Sequence, residues 1–367
     1  MTLTPSVYRN FVAARQCYRE LAGAVAPGRF DTSAWWFETQ AETCLDPDDE
    51  VVCVAAEAAG GPRAALMLRR RGRPGLLAGA RELASLSSPY TCSYQPLIAP
   101  GVARDAALTG LAAGLVQAAR QVDVVNLEAL PEADDLPRAL ARALGRAGFL
   151  TRRYRHFGNW YDRVADLDAA AFLAARPSAL RNTLRRRAKR LAALGGVTFQ
   201  VLTDAADAAA GIAAYERVYA ASWKGPEPHP DFAPALIRGA AAAGALRLGL
   251  CLVDGVPAAA QIWLVGGGGA TIFKLAYDEA HKDKSLGTVL TGHMVDHVMT
   301  RDGVTEIDFG RGDDAYKADW LPRRREHWGV LGFNPRRPLG LAAACRHGLV
   351  PWLRDRLRRD AAADQPR

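Results

Sequence analysis

The chain has little lysine. Six lysines, at 189, 224, 274, 282, 284 and 317, stand against 41 arginines, and all six fall in the second half. Where arginine is the default cation, a retained lysine marks a place for a compact point charge or a group able to titrate. The six cysteines, at 17, 44, 53, 92, 251 and 345, are scattered and form no CxxC pair, which excludes a zinc ribbon or a dithiol redox motif. Buried thiols in a reducing, cytoplasmic setting are the expectation. No apolar run reaches the ~18–20 residues of a membrane span. The opening MTLTPSVYRNFVAARQCYRE is broken by arginines and does not read as a secretory signal. There is no P-loop and no GxSxG nucleophile elbow. His293 and His297 share a helix face at i, i+4, but the glutamate of a zinc helix is missing and no third ligand is marked, so no metal is expected. Gly266–Gly269 lies between two β-like runs. It therefore reads as a hairpin loop and not as a dinucleotide fingerprint.

What is present is an ordinary globular composition, 367 residues with 49% hydrophobic and 23% charged side chains, enough for two or three domains. The net charge of +8 is unevenly placed. Residues 1–165 hold 19 basic and 17 acidic side chains, 166–335 hold 20 and 19, and 336–367 hold 8 and 3. Two nearly neutral lobes with a basic tail do not describe a nucleic-acid coat. The tail's apolar residues and arginines over 338–360 have a helix-like spacing, interrupted at Pro351. A basic amphipathic helix of this kind packs on its own protein, or lies on an anionic membrane at the inner face of the cell.

Periodicity predicts helices over 5–25, 33–45, 105–120, 136–149, 178–195, 210–225, 232–244 and 286–303. It predicts strands over 51–58, 63–71, 81–98, 122–130, 151–164 (an edge strand), 197–202, 246–265 (a hairpin across Asp254-Gly255), 270–279 and 305–310. The halves share an order. Hairpin 51–71 matches 246–265, helix 105–120 matches 287–301, and strand 122–130 matches 304–310. The fold class is therefore α/β (α+β), with two related lobes at 1–165 and 166–335 and a tail at 336–367.

Chemistry concentrates in Tyr277–Lys317. Lys282-Asp283-Lys284-Ser285-Leu286-Gly287 leads into a helix. The first N–H groups of a helix lack partners and its dipole is positive there, so a phosphate fits. Gly287 leaves room for its approach. Equally, Ser285 caps the helix and the two lysines are solvated. The next strand ends Asp308-Phe309-Gly310-Arg311-Gly312 and is followed by Tyr316, Lys317 and Trp320. The arginines at 181, 185, 186, 187 and 190 form a solvated helix face or a polyanion contact.

The DG hairpin, the third strand ending Ala276-Tyr277-Asp278, the loop Lys284-Ser285-Leu286-Gly287-Thr288-Val289 and the Asp-Phe-Gly strand end resemble the GNAT acyltransferase core. With Ser222-Trp223-Lys224 and Tyr316-Lys317 they resemble more closely a bacterial double-GNAT group, related to the Fem aminoacyltransferases and to acetyltransferases encoded with cellulose-synthesis genes. The resemblance covers about 170–335 well and 1–165 loosely. It implies two tandem GNAT-like lobes with mixed, mostly antiparallel sheets flanked by helices. It also implies direct acyl transfer, without a covalent intermediate, from acetyl-CoA or another acyl-CoA to the amine of a small molecule, glycan or peptide in envelope or exopolysaccharide metabolism. Leu275, Ala276 and Tyr277, with Lys282, Lys284, Ser285, Leu286, Gly287 and Thr288, would bind the donor. Trp223, Lys224 and Arg311 would bind the acceptor. Asp308 would act as base and Tyr316 as acid, with Lys317 binding phosphate or lowering the phenol pKa. The family's loop pattern begins with Gln or Arg and ends with Gly or Ala, where this chain has Lys284 and Val289. That departure leaves room for a carrier-protein or aminoacyl-tRNA donor, as in the Fem relatives, with tRNA as partner. A non-catalytic accessory role in polysaccharide synthesis is the remaining alternative.

Overall fold

An antiparallel meander closed by one parallel strand occurs twice along this chain. The computed structural model describes residues 3–26, 28–71 and 79–349. In chain order the elements are β1 (Thr4–Tyr8), α1 (Phe11–Gly23), α2 (Ala34–Thr43), β2 (Glu50–Ala58), β3 (Gly61–Arg70), β4 (Glu82–Ser85), β5 (Leu97–Ile98), α3 (Arg104–Ala118), β6 (Val124–Pro131), α4 (Leu136–Arg146) and β7 (Leu150–Arg163). They continue with α5 (Ala169–Ala174), α6 (Ser178–Leu194), β8 (Val197–Leu202), α7 (Ala208–Ala220), α8 (Phe232–Ala242), β9 (Leu246–Val253), β10 (Val256–Gly266), β11 (Gly269–Tyr277), α9 (Leu286–Thr300), β12 (Glu306–Asp308), α10 (Tyr316–Trp320), β13 (Arg323–Phe333) and α11 (Pro338–Ala344).

Contacts group these into two units. The first comprises Met1–Ala26, Leu45–His156 and His327–Arg367, the second Pro27–Cys44 and Phe157–Glu326. In the first, β1 to β4 pair antiparallel in succession and β4 pairs parallel with β6. In the second, β8 to β11 do the same and β11 pairs parallel with β12. The strand beside each parallel pair comes from the other half of the sequence. His327–Phe333 of β13 pairs with β6, and Tyr161–Arg163 of β7 pairs with β12. Pro27–Cys44, which the sequence reading sets in the first lobe, clusters with the second unit. Phe30 and Trp36, both buried, pack edge-on to Phe273 of β11, with ring centroids 5.9 and 5.8 Å apart.

Several elements differ from expectation, the short helices α5 and α10 among them. Residues 4–8 are a strand, paired with β2 from Thr4↔Glu57 to Tyr8↔Cys53. The helix begins only after Asn10, whose side chain accepts from Ala13 N at 2.8 Å; an N-cap of this kind marks a boundary that periodicity averages away. The strand β13 was not anticipated, because its charged opening Arg-Arg-Arg-Glu masks the apolar second half. Residues 350–367, and with them most of the amphipathic tail, lie outside the described residues.

The second unit's core sets the site. Leu286, Leu290, Met294 and Val298 line one face of α9 at helical spacing and are buried with Trp263 and Ile307. A Cβ on Gly249 of β9 would fall 2.4 Å from Met294 Sδ, so this glycine lets α9 lie directly on the sheet. The core thereby fixes where α9 begins.

Candidate functional site

At that N-terminus, Tyr277, Lys282, Ser285, Leu286, Gly287 and Thr288 line a cavity of about 160 Å³. Ser285 is left-handed, with φ 56° and ψ 39°, and makes no side-chain cap bond. The segment before it, Glu279–Lys284, is a 3-10 turn. A right-handed residue followed by a left-handed one turns successive N–H groups to one side, an anion-binding nest. The α9 dipole adds positive potential. The strained backbone of a non-glycine residue at φ > 0 is retained where the surroundings require it. Gly287 has no such backbone reason to be glycine. A Cβ there would meet only Tyr277 Cδ1, at 3.6 Å, an ordinary contact, so what the missing methyl leaves open is the cavity.

Of the two loop lysines, Lys282 lines the cavity, while Lys284 Nζ lies 2.9 Å from His281 Nδ1. The loop is held from α6, where Arg187 donates to the Asp283 carbonyl at 2.6 Å. The start of α9 is held from the sheet. The Gln261 amide on β10 donates to Gly287 O at 2.9 Å and to Thr291 Oγ1 at 2.8 Å, and its oxygen accepts from Trp263 Nε1. Sequence reasoning missed Gln261, although a lone polar residue in the apolar run AAAQIWLV was a signal for it.

The strand β11 runs from the sheet toward this cavity. Its pairing with β12 lasts three residues and ends at Thr271↔Asp308; beyond that point only β10 continues beside it, to Ala259↔Tyr277. Leu275, Ala276 and Tyr277 are therefore on the stretch past the split. Lys224 donates to the Leu275 carbonyl at 2.7 Å. Burial, with the neighbouring Lys274 charge, pulls the Lys224 ammonium down to about 8, against a partial offset from Glu227 and a further push from Lys317. Glu227 itself pairs with Lys274. Trp223 is 49% exposed, and its ring lies 4.5 Å from that of Tyr277.

Asp308 is 1% exposed, and both of its oxygens are engaged. Oδ2 accepts from Arg29 Nη2 at 2.7 Å and Thr271 Oγ1 at 3.1 Å, and Oδ1 accepts from Gly310 N at 2.7 Å and Asn159 Nδ2 at 3.3 Å. Arg325 approaches to 3.6 Å and bonds Asn159 Oδ1 and Glu306. Burial raises the Asp308 pKa, but Arg29 and Arg325 outweigh it and hold the carboxyl below its ordinary value. A carboxylate so bound is a poor proton acceptor, and the geometry makes Asp308 the organiser of the β12 end. Arg29 sits close over the Gly266–Gly269 turn, where a Cβ on Gly267 would fall 2.9 Å from Arg29 N.

Lys317 is engaged by its surroundings as well. It is 5% exposed and donates to the carbonyls of Arg311 at 2.9 Å and Gly312 at 3.4 Å, with Asp314 at 3.1 Å. Nor does it depress its neighbour's pKa, because partial burial and Asp314 push the Tyr316 phenol up to about 12. Tyr316 is half-exposed and packs edge-on to Phe309 at 5.9 Å. Arg311 stacks over Phe157 at 4.8 Å. His293 stacks on Phe199.

Residues 178–318 match the acetyltransferase (GNAT) domain model. Among solved structures, the crystal structure of FemX aligns with a TM-score of 0.62 at 11% identity, over 88% of this chain and 96% of that one. The structure of L-PGS from Bacillus licheniformis aligns at 0.55 and 13%, over 89% and 93%. A conserved protein of unknown function from Bacteroides thetaiotaomicron aligns at 0.54 and 10%, over 89% and 99%. No curated protein sequence matches the chain. Residues 178–318 thus carry the likeness to the acetyltransferase (GNAT) domain, and over most of its length the chain is similar in fold to FemX and to L-PGS.

Proposed function

We propose that the second unit transfers an acyl group, acetyl in the simplest case, from coenzyme A to an amine acceptor on a small molecule, glycan or peptide of the cell envelope. The observation that carries this reading is the cavity at the N-terminus of α9, with left-handed Ser285, uncapped first-turn N–H groups and Lys282 on its wall. Its size suits a diphosphate. In this reading the diphosphate of the donor sits there, and the thioester lies along β11 past the split, near Leu275–Tyr277.

The acceptor amine attacks the thioester carbonyl, the C–S bond breaks, and the thiolate leaves. Lys224 in its neutral form takes the proton that the amine sheds, while still donating one N–H to the Leu275 carbonyl. Tyr316, held protonated by its raised pKa, protonates the thiolate. Trp223 and Arg311 flank the acceptor. Asp308 and Lys317 position the 308–314 segment and do not touch substrate.

Thermal shift of the full chain tests the donor, because a ligand that binds only the folded state raises Tm by mass action. On this reading coenzyme A and acetyl-CoA should raise Tm in the wild type, and raise it less in the Gly287→Ala variant. A specific observation favours a second donor. Helix α6 carries six cations and no acidic residue and holds the Asp283 loop through Arg187, so an aminoacyl-tRNA would find a basic face beside the cavity. Salt-sensitive binding of charged tRNA without coenzyme A binding would select that reading.

A further inference from the structure

A second cavity, of about 310 Å³, lies within the first unit and is lined by Val116, Arg120, Gly148, Phe149, Asn334, Arg336 and Arg337. Three chain segments meet there: the end of α3 with the turn after it, the end of α4, and the turn between β13 and α11. Arginines at helix C-termini ordinarily satisfy orphan carbonyls. Here the carbonyls have other partners. Ala119 O and Val122 O accept from the Asn334 amide at 3.4 and 3.1 Å. At the end of α4, Ala143 O, Gly145 O and Leu144 O accept from the N–H groups of Ala147, Gly148 and Phe149. The buried acid nearby is also accounted for, since Asp123 accepts from Arg337 Nε at 2.5 Å and from Arg81 N at 2.8 Å.

The two remaining guanidinium groups, Arg120 and Arg336, make no hydrogen bond or ion pair among the described residues. A Cβ on Gly148, whose φ is +97°, would sit 3.4 Å from Arg336 Nη2, so the α4 turn lies directly under the Arg336 head. Both residues are exposed and line the same cavity, so each has a guanidinium fork available to an anion there. Val116 and Phe149 add an apolar wall. The volume falls at the lower end of the ~300–1,000 Å³ range of small-molecule pockets, larger than a bare phosphate needs.

We propose that the first unit holds its own binding site for a phosphate-bearing molecule, with Arg120 and Arg336 clasping the phosphate and Val116 and Phe149 covering the organic body. The proposal does not depend on the acyl-transfer reading, because all of its residues lie outside the second unit. The phosphate has two sources, a soluble sugar phosphate or a lipid headgroup.

Calorimetry of the full chain with ribose 5-phosphate, and co-sedimentation with phosphatidylcholine vesicles with and without phosphatidylglycerol, separate the two. The expected result is binding in one of these assays, weakened about tenfold in each of Arg120→Ala and Arg336→Ala, as the loss of one charge-assisted pair implies. Arg336→Lys should lose less than Arg336→Ala. Binding that is unchanged in both alanine variants, or absent in both assays, overturns the proposal. So does binding that Gly287→Ala weakens and the two arginine variants do not, which would place the phosphate in the α9 cavity. Both side chains reach into an open cavity, so unaltered thermal unfolding of the variants will show that the fold is intact.

Discussion

Arg29 and Asp308, 279 residues apart in sequence, are joined by a 2.7 Å ion pair that closes the buried end of β12. Removing one partner of a buried pair leaves the other charge uncompensated, at a cost of about 3–5 kcal/mol. Asp308→Ala should therefore lower stability to urea by about that amount, and Arg29→Met should do the same. Their double variant should cost less than the sum, since neither charge is then left alone. A base role for Asp308 predicts the opposite pattern, with activity lost at full stability.

The same pair gives an acid-side prediction. The Asp308 pKa is depressed in the folded state, so its contribution is fully present above the unfolded value of about 3.9 and is lost as pH falls through the folded value. Asp31 has the opposite sign, because burial raises its pKa; its contribution is fully present below the unfolded value and is lost as pH rises through the folded one. Urea titrations of wild type and Asp308→Asn between neutral pH and pH of about 3 should converge as the pH falls.

Gly287→Ala separates binding from folding. A helical alanine in place of glycine stabilises by roughly 0.5–1 kcal/mol, and the added Cβ meets only Tyr277 at 3.6 Å. The variant should unfold at an equal or higher temperature and bind coenzyme A at least about tenfold more weakly, the factor corresponding to about 1.4 kcal/mol. Equal affinity would leave the cradle without a ligand.

Gln261→Leu tests how the cradle is held. Two donated bonds, to Gly287 O and Thr291 Oγ1, and one accepted from Trp263 are lost together. A buried group left without a partner costs about 1–3 kcal/mol, so Tm falls. If Gln261 positions the first turn of α9, KM for the donor rises more than kcat falls. A purely structural role would lower Tm and leave KM as it was.

Much of the fold was legible because it is local. The DG turn, the α9 stripe and the recurrence of hairpin, helix and strand all follow from periodicity and turn chemistry within short windows. The loop from Lys282 to Thr288 was legible for the same reason, since a helix N-terminus is a local feature. The Asp308 partners were not, because Arg29, Asn159 and Arg325 come from three distant stretches and carry no spacing signal. The sequence also makes Lys317 look free, whereas burial and three backbone or carboxylate contacts engage it. An isolated charged residue near a motif reads as functional until its neighbours are known.

Lys224 carries the last prediction. Its ammonium is pulled down to about 8 by burial, then Lys274, and held up in part by Glu227. A base with that value is largely protonated at neutral pH and free above it, so kcat/KM should rise with pH and level off above about 8. In Lys224→Met the rate should fall, and that limb should disappear from the profile. In Lys224→Arg, which keeps the charge but cannot deprotonate, the rate should stay low at all pH values. The stability linkage has its own sign. The folded pKa lies below the unfolded value of about 10.4, so the unfolded chain binds the extra proton between the two, and stability attributable to Lys224 rises as pH climbs from about 8 toward 10. Lys224→Met should flatten that rise in urea titrations even if the rate is unaffected. If the stability slope is lost while the pH–rate limb is kept, Lys224 is buried as described but takes no proton from the acceptor.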